Sequence, residues 1–357
     1  MKLSGTTGRP SVPGIAALLV SCLFCGPAFA EGPLPAPAGV QLRPLPAPAT
    51  VSPELAKLVE APPLPHWNAH PKNADEWRAL IKQVGDAARP FLPKLKERFG
   101  VESAPGKLSG VPVFTLTPKS LPPDHEGRVI LHIHGGGYVF HPGETGTGEG
   151  ILMAGLGGYK VVSADYRMPP DHPYPAALDD VVAAYKGLLE TYPPEKIAVF
   201  GTSTGGGLTL ALALRARDEG LPLPAAIAPG TPWTDLTKTG DSYFTNEGLD
   251  NILVSHDGWL GDAARLYANG HDLKDPYLSP VYGDAKGLPP ALFTTGTRDL
   301  FLSNTTRMHQ KFREAGAASE LVVFEGMSHA HYMMNPDAPE TRRHFAELTA
   351  FFEKRLR

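Results

Sequence analysis

The chain has 357 residues, of which 42% are hydrophobic and 20% charged, and its formal net charge is −4 at pH 7. This composition predicts a globular protein with a sizeable core, and the slightly acidic balance does not favour nucleic acid or anionic lipid as a partner. The two cysteines, Cys22 and Cys25, both precede residue 31, so disulfides are not expected to stabilise the chain beyond that point.

The first 30 residues have the pattern of a signal peptide. Lys2 and Arg9 give a positive start, the apolar run 14–24 is too short to span a bilayer, and the small residues at 28–30 are typical of a cleavage site. The sequence therefore predicts an exported protein, periplasmic or secreted. The alternative is a lipoprotein signal in which Cys22 is the acylated residue.

Residues 31–66 are rich in proline and alanine and repeat the pattern Leu-Pro-Ala-Pro-Ala. Alternating proline and alanine forms neither a helix nor a central strand, so we expect an extended linker or a surface strap, with disorder as a further alternative. Between residues 73 and 99 the apolar positions recur at helical spacing, interrupted by Pro90 and Pro93, which predicts two short amphipathic helices.

From residue 106 onward, strand-like runs alternate with helix-like segments. Strands are predicted near 111–116, 128–134, 160–165, 196–200, 225–228, 291–295 and 320–324. Helices are predicted near 176–190, 204–218, 255–267, 304–315 and 340–354. This alternation is typical of an α/β fold with a mostly parallel central sheet covered by helices on both faces. The stretch 235–275 is long for a connection and is expected to form an additional segment.

Three consecutive glycines, Gly135, Gly136 and Gly137, follow a strand-like run and His134. Glycines weaken regular structure and supply no side chain to a core, but they leave backbone N–H groups free to point at a ligand. In an acyl-transfer enzyme such groups hold the oxyanion that forms on the substrate carbonyl. A glycine hinge or a phosphate-binding turn is the structural alternative, although no Lys-Ser or Lys-Thr pair follows, as a P-loop requires.

Ser203 lies between two glycines in the stretch Gly-Thr-Ser-Thr-Gly at 201–205, after an apolar strand and before a helix rich in leucine and alanine. This context is typical of a nucleophile elbow, a sharp turn at which side chains on the flanking residues would collide with backbone. An ordinary glycine-rich turn gives the same pattern. In an elbow, the N–H of Thr204 would join those of Gly136 and Gly137 as an oxyanion donor.

A serine nucleophile needs a base to take its proton and an acid to orient that base. His329 follows a β-rich run in a short loop before the last helix, and His331 is its rival. Asp299 follows a strand, at the carboxyl edge of the sheet where the binding sites of open α/β proteins lie. The structural alternative is an aspartate that caps the next helix. Asp275 is a lesser candidate. The order serine, aspartate, histidine is that of the α/β-hydrolase fold.

From about Gly110 to the C-terminus, the chain resembles the bacterial hormone-sensitive-lipase-type (family IV) esterases. The resemblance lies in the His-Gly-Gly-Gly motif at 134–137, the elbow at 201–205, and the stretches 166–177, 275–280, 287–291 and 316–329. It implies an α/β-hydrolase domain over 106–357 and a helical cap formed by 67–105 together with 235–275. It also implies that the three candidate catalytic residues act together, without a cofactor, on short- to medium-chain acyl or aryl esters.

Two departures from the family pattern bear on the pocket. Thr204 replaces the alanine usual after the nucleophile, and its branched side chain is expected to narrow the acyl pocket. His331 replaces a common aromatic residue and is expected to make the pocket more polar. Together with Tyr138, His331 is therefore a predicted pocket residue.

The sequence thus predicts a serine carboxylic-ester hydrolase that forms an acyl-enzyme with a small-molecule ester. A lactone hydrolase or an amidase would use the same residues. A non-catalytic binding protein on this fold is a more remote alternative, because every member of the triad is present. The histidines and acids lack the spacing of metal ligands, so neither a metal nor another cofactor is predicted.

Overall fold

The computed structural model describes residues 39–357. The predicted signal peptide, the alternative acylation site at Cys22 and the start of the proline-rich segment lie outside these residues. No helix within 39–357 combines the length and the apolar character that crossing a membrane requires.

Within the described residues, the strands form one eight-stranded sheet. They are β1 (Val101–Leu108), β2 (Val111–Pro118), β3 (Val129–Ile133), β4 (Lys160–Ala164), β5 (Ile197–Thr202), β6 (Ala226–Gly230), β7 (Ala291–Gly296) and β8 (Ser319–Phe324). Their spatial order is β1-β2-β4-β3-β5-β6-β7-β8, in which β2 pairs antiparallel with β1 and β4, and the others pair in parallel. The carboxyl ends of the parallel strands therefore meet at one edge of the sheet.

The helices, in chain order, are α1 (Pro53–Val59), α2 (Ala74–Ala88), α3 (Leu92–Phe99), α4 (Gly148–Gly157), α5 (Ala176–Leu189), α6 (Thr204–Asp218), α7 (Ser242–Thr245), α8 (Trp259–Ala268), α9 (Leu302–Glu314), α10 (His331–Met334) and α11 (Pro339–Glu353). Hydrophobic side chains of α5, α6, α8 and α9 belong to one core cluster, and those of α3, α4 and α11 belong to another. Adjacent residues of one strand belong to different clusters: Val199 of β5 lies in the first and Phe200 in the second. The sheet is thus covered on both faces, which confirms the predicted fold class.

The seven predicted strands are all present, with ends within two residues of the expected ones, and α6 has the predicted limits. The sequence analysis missed β1 and α4. Most of β1 is exposed and it contains Pro105 and Gly106, so it shows no alternation of apolar residues. Glycines make up much of α4, which lowers its helix propensity, and the burial of its apolar side chains compensates.

Residues 39–66 form a surface strap that contains a helix, α1, which the sequence analysis did not expect. Pro53 occupies the first helical turn, where its missing N–H is no loss, and Ser52 Oγ accepts a hydrogen bond from Leu55 N at 3.0 Å. Leu55 and Leu58 of α1 share a hydrophobic cluster with the segment after β8. The strap is therefore packed against the body of the protein, and it is not extended throughout.

The strap depends on its helix cap, which gives a first testable prediction. Ser52→Ala removes the acceptor for Leu55 N and the 2.6 Å hydrogen bond that Ser52 Oγ donates to Glu340 Oε2. We expect the free energy of unfolding, measured by urea denaturation, to fall by about 1 kcal/mol. Ser52→Asn, which retains a capping acceptor, should recover most of this loss. An unchanged denaturation midpoint in Ser52→Ala would contradict the role of the cap.

The strap also contacts the loops that follow β7 and β8. The Arg298 guanidinium donates hydrogen bonds to Leu45 O at 3.1 Å and to Pro46 O at 2.7 Å. Thr50 Oγ1 donates to Glu325 Oε2 at 2.6 Å. The strap therefore fastens the two loops in which the predicted acid and base lie.

Candidate active site

Ser203 lies at the junction of β5 and α6 with a φ of 63° and a ψ of −121°. This backbone conformation is strained for a residue with a side chain, and it persists where the surroundings enforce it. Ser203 N donates to Gly230 O and Ser203 O accepts from Trp233 N, both at 2.9 Å. A Cβ added to Gly205 would lie 1.9 Å from Ile133 O. The turn therefore has the predicted geometry of a nucleophile elbow, and glycine is required beside it.

The three-glycine segment lies directly against this turn. A Cβ on Gly135 would be 2.7 Å from Thr202 O and 3.2 Å from Ser203 Cβ. Gly136 and Gly137 have φ values of 118° and 64°. Within residues 39–357, the backbone N–H groups of Gly136, Gly137 and Thr204 have no hydrogen-bond acceptor. Donors without an acceptor next to a serine can bind an oxyanion, as the sequence predicts.

His134 supports the glycine segment. Its ring stacks on Tyr166 with the ring centroids 4.3 Å apart, and its Nδ1 lies 2.8 Å from Gly135 O. Burial lowers the pKa of His134 to about 3, so the ring is neutral near neutral pH. A neutral ring adds no charge to the cavity.

Asp299 and His329 form a buried pair, with Asp299 Oδ1 at 3.0 Å from His329 Nδ1. Asp299 Oδ2 accepts hydrogen bonds from the hydroxyls of Thr231 and Thr295, the latter at 2.9 Å. Burial by itself raises the pKa of the Asp299 carboxyl, but the charge of His329 and the hydrogen bonds from His329 and Thr231 outweigh it and hold the pKa below its usual value. An ionised Asp299 that binds Nδ1 leaves the other ring nitrogen, Nε2, available as a base.

Ser203 and His329 line the same cavity, whose volume is about 150 Å³. Its apolar wall comes from both segments that were predicted as a cap, from residues just before 67, and from α10. The apolar lining includes Leu64, Val84, Ala88, Ile252, Leu253, Trp259 and Met333. The cavity therefore combines a candidate nucleophile, a candidate base and free N–H donors with a largely apolar surface.

The three residues predicted to shape the pocket are not among those that line this cavity. Tyr138 has a φ of 66° and stacks on Tyr267 at 3.7 Å between ring centroids, so its ring lies in the core. Thr204 is completely buried at the start of α6. His331 is buried, and its Nδ1 accepts a hydrogen bond from Ser328 N at 3.2 Å.

The lesser acid candidate, Asp275, has a local role in a turn. Its Oδ1 accepts a hydrogen bond from Tyr277 N at 2.8 Å, and its backbone oxygen accepts from Ser279 N at 2.7 Å. These contacts are typical of an aspartate that stabilises a turn. Asp299 is the one that contacts His329.

Sequence reasoning missed three polar residues of the site. Glu149, on α4, is buried and accepts a hydrogen bond from Thr202 Oγ1 at 2.5 Å, next to the candidate nucleophile. Thr231 donates to Asp299 and lies 3.1 Å from His329 Nδ1. Asp250 accepts a hydrogen bond from His329 N at 3.2 Å. None of them lies in a recognisable motif, so their roles depend on contacts between distant parts of the chain.

In the part of the chain that the structure describes, one group of side chains has the spacing of metal ligands. It consists of Asp124, His125 and Glu353, whose ligand atoms lie within 4.8 Å of one another. Two of the three are exposed, and His125 Nε2 lies 3.5 Å from Glu353 Oε1, the distance of an ion pair. None of the three lines the cavity.

Comparison with known proteins places these observations in a family. A family model described as alpha/beta hydrolase fold matches residues 130–333. An acetyl-hydrolase of Streptomyces hygroscopicus is 34% identical over 231 residues, which cover 64% of this chain and 77% of that protein. An esterase of Acinetobacter venetianus is 29% identical over 273 residues, which cover 74% and 88%.

Solved structures agree over most of the chain. The crystal structure of esterase E25 superposes with a TM-score of 0.86 and 44% sequence identity, covering 89% of this chain and 98% of that one. An esterase from the bacterial hormone-sensitive lipase family superposes with a TM-score of 0.72 and 30% identity, covering 86% and 99%.

Proposed function

The chain belongs to the α/β-hydrolase family, among the bacterial esterases of the hormone-sensitive-lipase type, and we propose that it hydrolyses carboxylic esters through Ser203, His329 and Asp299. The observation that carries this proposal is the buried Asp299 and His329 pair, which opens on the same cavity as Ser203. The predictions of an enzyme and of its family are confirmed by relatives that are themselves esterases and acetyl-hydrolases.

The first half of the reaction forms an acyl-enzyme. Ser203 Oγ attacks the ester carbonyl while His329 Nε2 takes the hydroxyl proton, and Asp299 stabilises the imidazolium through Nδ1–H. The negative charge on the former carbonyl oxygen is held by the free N–H groups of Gly136, Gly137 and Thr204. When the tetrahedral intermediate collapses, the bond to the alcohol oxygen breaks and His329 returns its proton to the departing alcohol.

The second half releases the acid. Water enters the position of the alcohol, His329 takes one of its protons, and the hydroxide attacks the acyl carbon. Collapse of the second tetrahedral intermediate breaks the bond to Ser203 Oγ, which recovers the proton from His329. The enzyme returns to its starting state, and the protein supplies every group that these steps require.

The cavity supports short acyl chains as substrates. Its volume is about 150 Å³. Its walls are mainly apolar, and burial holds the pKa of the lining His66 at about 4, which keeps that ring neutral. A mainly apolar space of this size suits a chain of a few carbons better than a long one.

Hydrolysis of p-nitrophenyl acetate, butyrate and octanoate by the purified protein tests the function. We expect release of p-nitrophenol from all three, with kcat/KM for octanoate about tenfold or more below that for butyrate, because the longer chain loses its fit to the cavity. The corresponding anilide, p-nitroacetanilide, measures amidase activity in the same assay. No turnover of any ester would contradict the proposed function, and a preference for the anilide would establish the amidase alternative.

We also propose that residues 1–30 direct export to the periplasm or the medium. The support is the positive, then apolar, then small-residue pattern of this segment. Mass spectrometry of the mature protein distinguishes cleavage after Ala30 from the alternative, in which Cys22 is the first residue and carries lipid.

A further inference from the structure

Asp250 is a second completely buried carboxylate beside the Asp299 and His329 pair. Its Oδ2 accepts hydrogen bonds from Leu300 N at 2.8 Å and from His329 N at 3.2 Å. Leu300 directly follows Asp299 in the chain. A single oxygen of Asp250 therefore joins the loop of the candidate acid to the loop of the candidate base.

The other oxygen stabilises the turn to which Asp250 belongs. Oδ1 accepts hydrogen bonds from Ile252 N at 2.8 Å and from Leu253 N at 3.1 Å. Within the described residues, all four hydrogen-bond partners of Asp250 are thus backbone N–H donors, and neither lysine nor arginine forms an ion pair with it. A protonated carboxyl would place an O–H against these donors, so the ionised form satisfies the hydrogen bonds best.

The surroundings oppose that ionised form. Burial and the charge of Asp299 raise the pKa of the Asp250 carboxyl to about 6, although His329 and the backbone donors partly offset them. A buried anion without a neighbouring lysine or arginine destabilises a fold, and a serine or asparagine would cap the same turn with less desolvation. A merely structural role therefore does not explain a carboxylate at this position.

We propose that Asp250 is a positioning residue for ester hydrolysis, whose carboxylate aligns the loops of Asp299 and His329 and whose charge supports the imidazolium that forms during acylation. This inference rests on the proposed function of the site. Asp250 is not among the residues that line the cavity of Ser203 and His329. It acts through the backbone N–H of the base and through the electrostatic field at the imidazole.

The neighbouring residue holds Asp250 in place. Asn251 Nδ2 donates hydrogen bonds to Leu58 O at 2.7 Å and Ala61 O at 2.9 Å, and Asn251 N donates to Ser328 Oγ at 3.3 Å. Asn251 thus connects the strap to the loop of the base. Asn251 O also accepts a hydrogen bond from Leu64 N at 3.3 Å. These four hydrogen bonds limit the movement of the Asp250 carboxylate, which a positioning role requires.

The sign of the electrostatic effect follows from the groups around Asp250. The titratable groups that act on Asp250 are Asp299 and His329. Burial lowers the pKa of the nearby His331 to about 3, so it is neutral, and the Arg298 guanidinium binds the strap. Loss of the Asp250 charge makes the imidazolium that forms during acylation less favourable, so the acidic limb of the pH profile should move to lower pH.

Asp250→Asn tests this role in the full-length enzyme with p-nitrophenyl butyrate. We expect kcat to fall about 10- to 100-fold with KM little changed, because the base is displaced. We also expect the acidic limb of the kcat/KM profile to move to lower pH by roughly half a unit to one unit. The matched control is Asp235→Asn, which changes another completely buried aspartate of the 235–275 segment. Asp235 Oδ2 pairs with Arg307 Nη1 at 2.6 Å, and this variant should leave the limb in place.

The shift of the acidic limb of the kcat/KM profile is the deciding measurement. Loss of packing alone lowers the activity but does not move this limb. An acidic limb that coincides with that of the wild type would overturn the proposal. If Asp250→Asn does not fold, Asp250→Glu provides the test. This variant retains the charge but displaces the carboxylate oxygens, so kcat should fall while the acidic limb stays in place. A moved limb or an unchanged kcat in Asp250→Glu would also overturn it. A wild-type enzyme without esterase activity would instead refute the proposed function.

Discussion

Replacement of Ser203 by alanine is expected to lower kcat for p-nitrophenyl butyrate by about 10⁴–10⁶-fold. The variant lacks the oxygen that attacks the ester, and the site then retains only oxyanion stabilisation and substrate binding. The backbone hydrogen bonds of residue 203 to Gly230 and Trp233 do not involve the side chain. The fold and KM should therefore change little, which circular dichroism and the substrate dependence of the rate can check.

A matched substitution separates loss of the nucleophile from loss of structure. Ser319→Ala removes a hydroxyl that lies 2.6 Å from His309 Nδ1 on the edge strand β8, outside the cavity lining. This variant should retain kcat within a factor of about two, as surface changes away from the site usually do. If Ser203→Ala lowered activity less than tenfold, the assignment of the elbow would be wrong.

The second large effect is expected for His329. Its Nδ1 is bound by Asp299, and both His329 and Ser203 line the cavity, so His329→Ala removes the proton acceptor of both halves of the reaction. We expect kcat to fall by about 10⁴-fold. Steady-state rates with p-nitrophenyl butyrate, compared with those of the wild type under the same conditions, measure this loss.

His331→Ala is the natural control for that variant, since the two histidines are close in sequence. His331 is completely buried and accepts a hydrogen bond from Ser328 N, whereas the hydrogen bond of Asp299 Oδ1 goes to His329. Its loss should lower the free energy of unfolding by roughly 1–3 kcal/mol and kcat by less than tenfold. Equal or larger loss of kcat in His331→Ala would show that the base has been assigned to the wrong histidine.

Local sequence signals were sufficient for the strands and for the elbow. Buried parallel strands such as β5 consist of nearly continuous apolar runs, and the glycines around Ser203 are required by contacts as short as 1.9 Å. The order of Ser203, Asp299 and His329 then restricted the fold to one superfamily. Sequence motifs thus predicted those site residues whose surroundings are formed by residues close to them in the sequence.

Side-chain direction could not be predicted in the same way. Tyr138 follows the glycine segment, but its positive φ turns its ring into the core, and α6 buries Thr204. Asp250 and Thr231 reach the site from loops without periodic patterns, and only the assembled sheet brings them beside residues 299 and 329. Their contribution depends on long-range contacts, which single-sequence patterns do not contain.

The contacts of the strap affect the stage of synthesis and folding at which the active site can form. Leu45 and Arg298, which are joined by a hydrogen bond, lie 253 residues apart in the chain. During synthesis the strap emerges early, whereas β7, β8 and the loops it fastens emerge much later. Contacts of such long sequence separation form late in folding, because the entropy of loop closure must be overcome first. A growing chain therefore carries an exposed nucleophile elbow without its acid and base, and hydrolytic competence should arise only when the first and last parts of the chain meet.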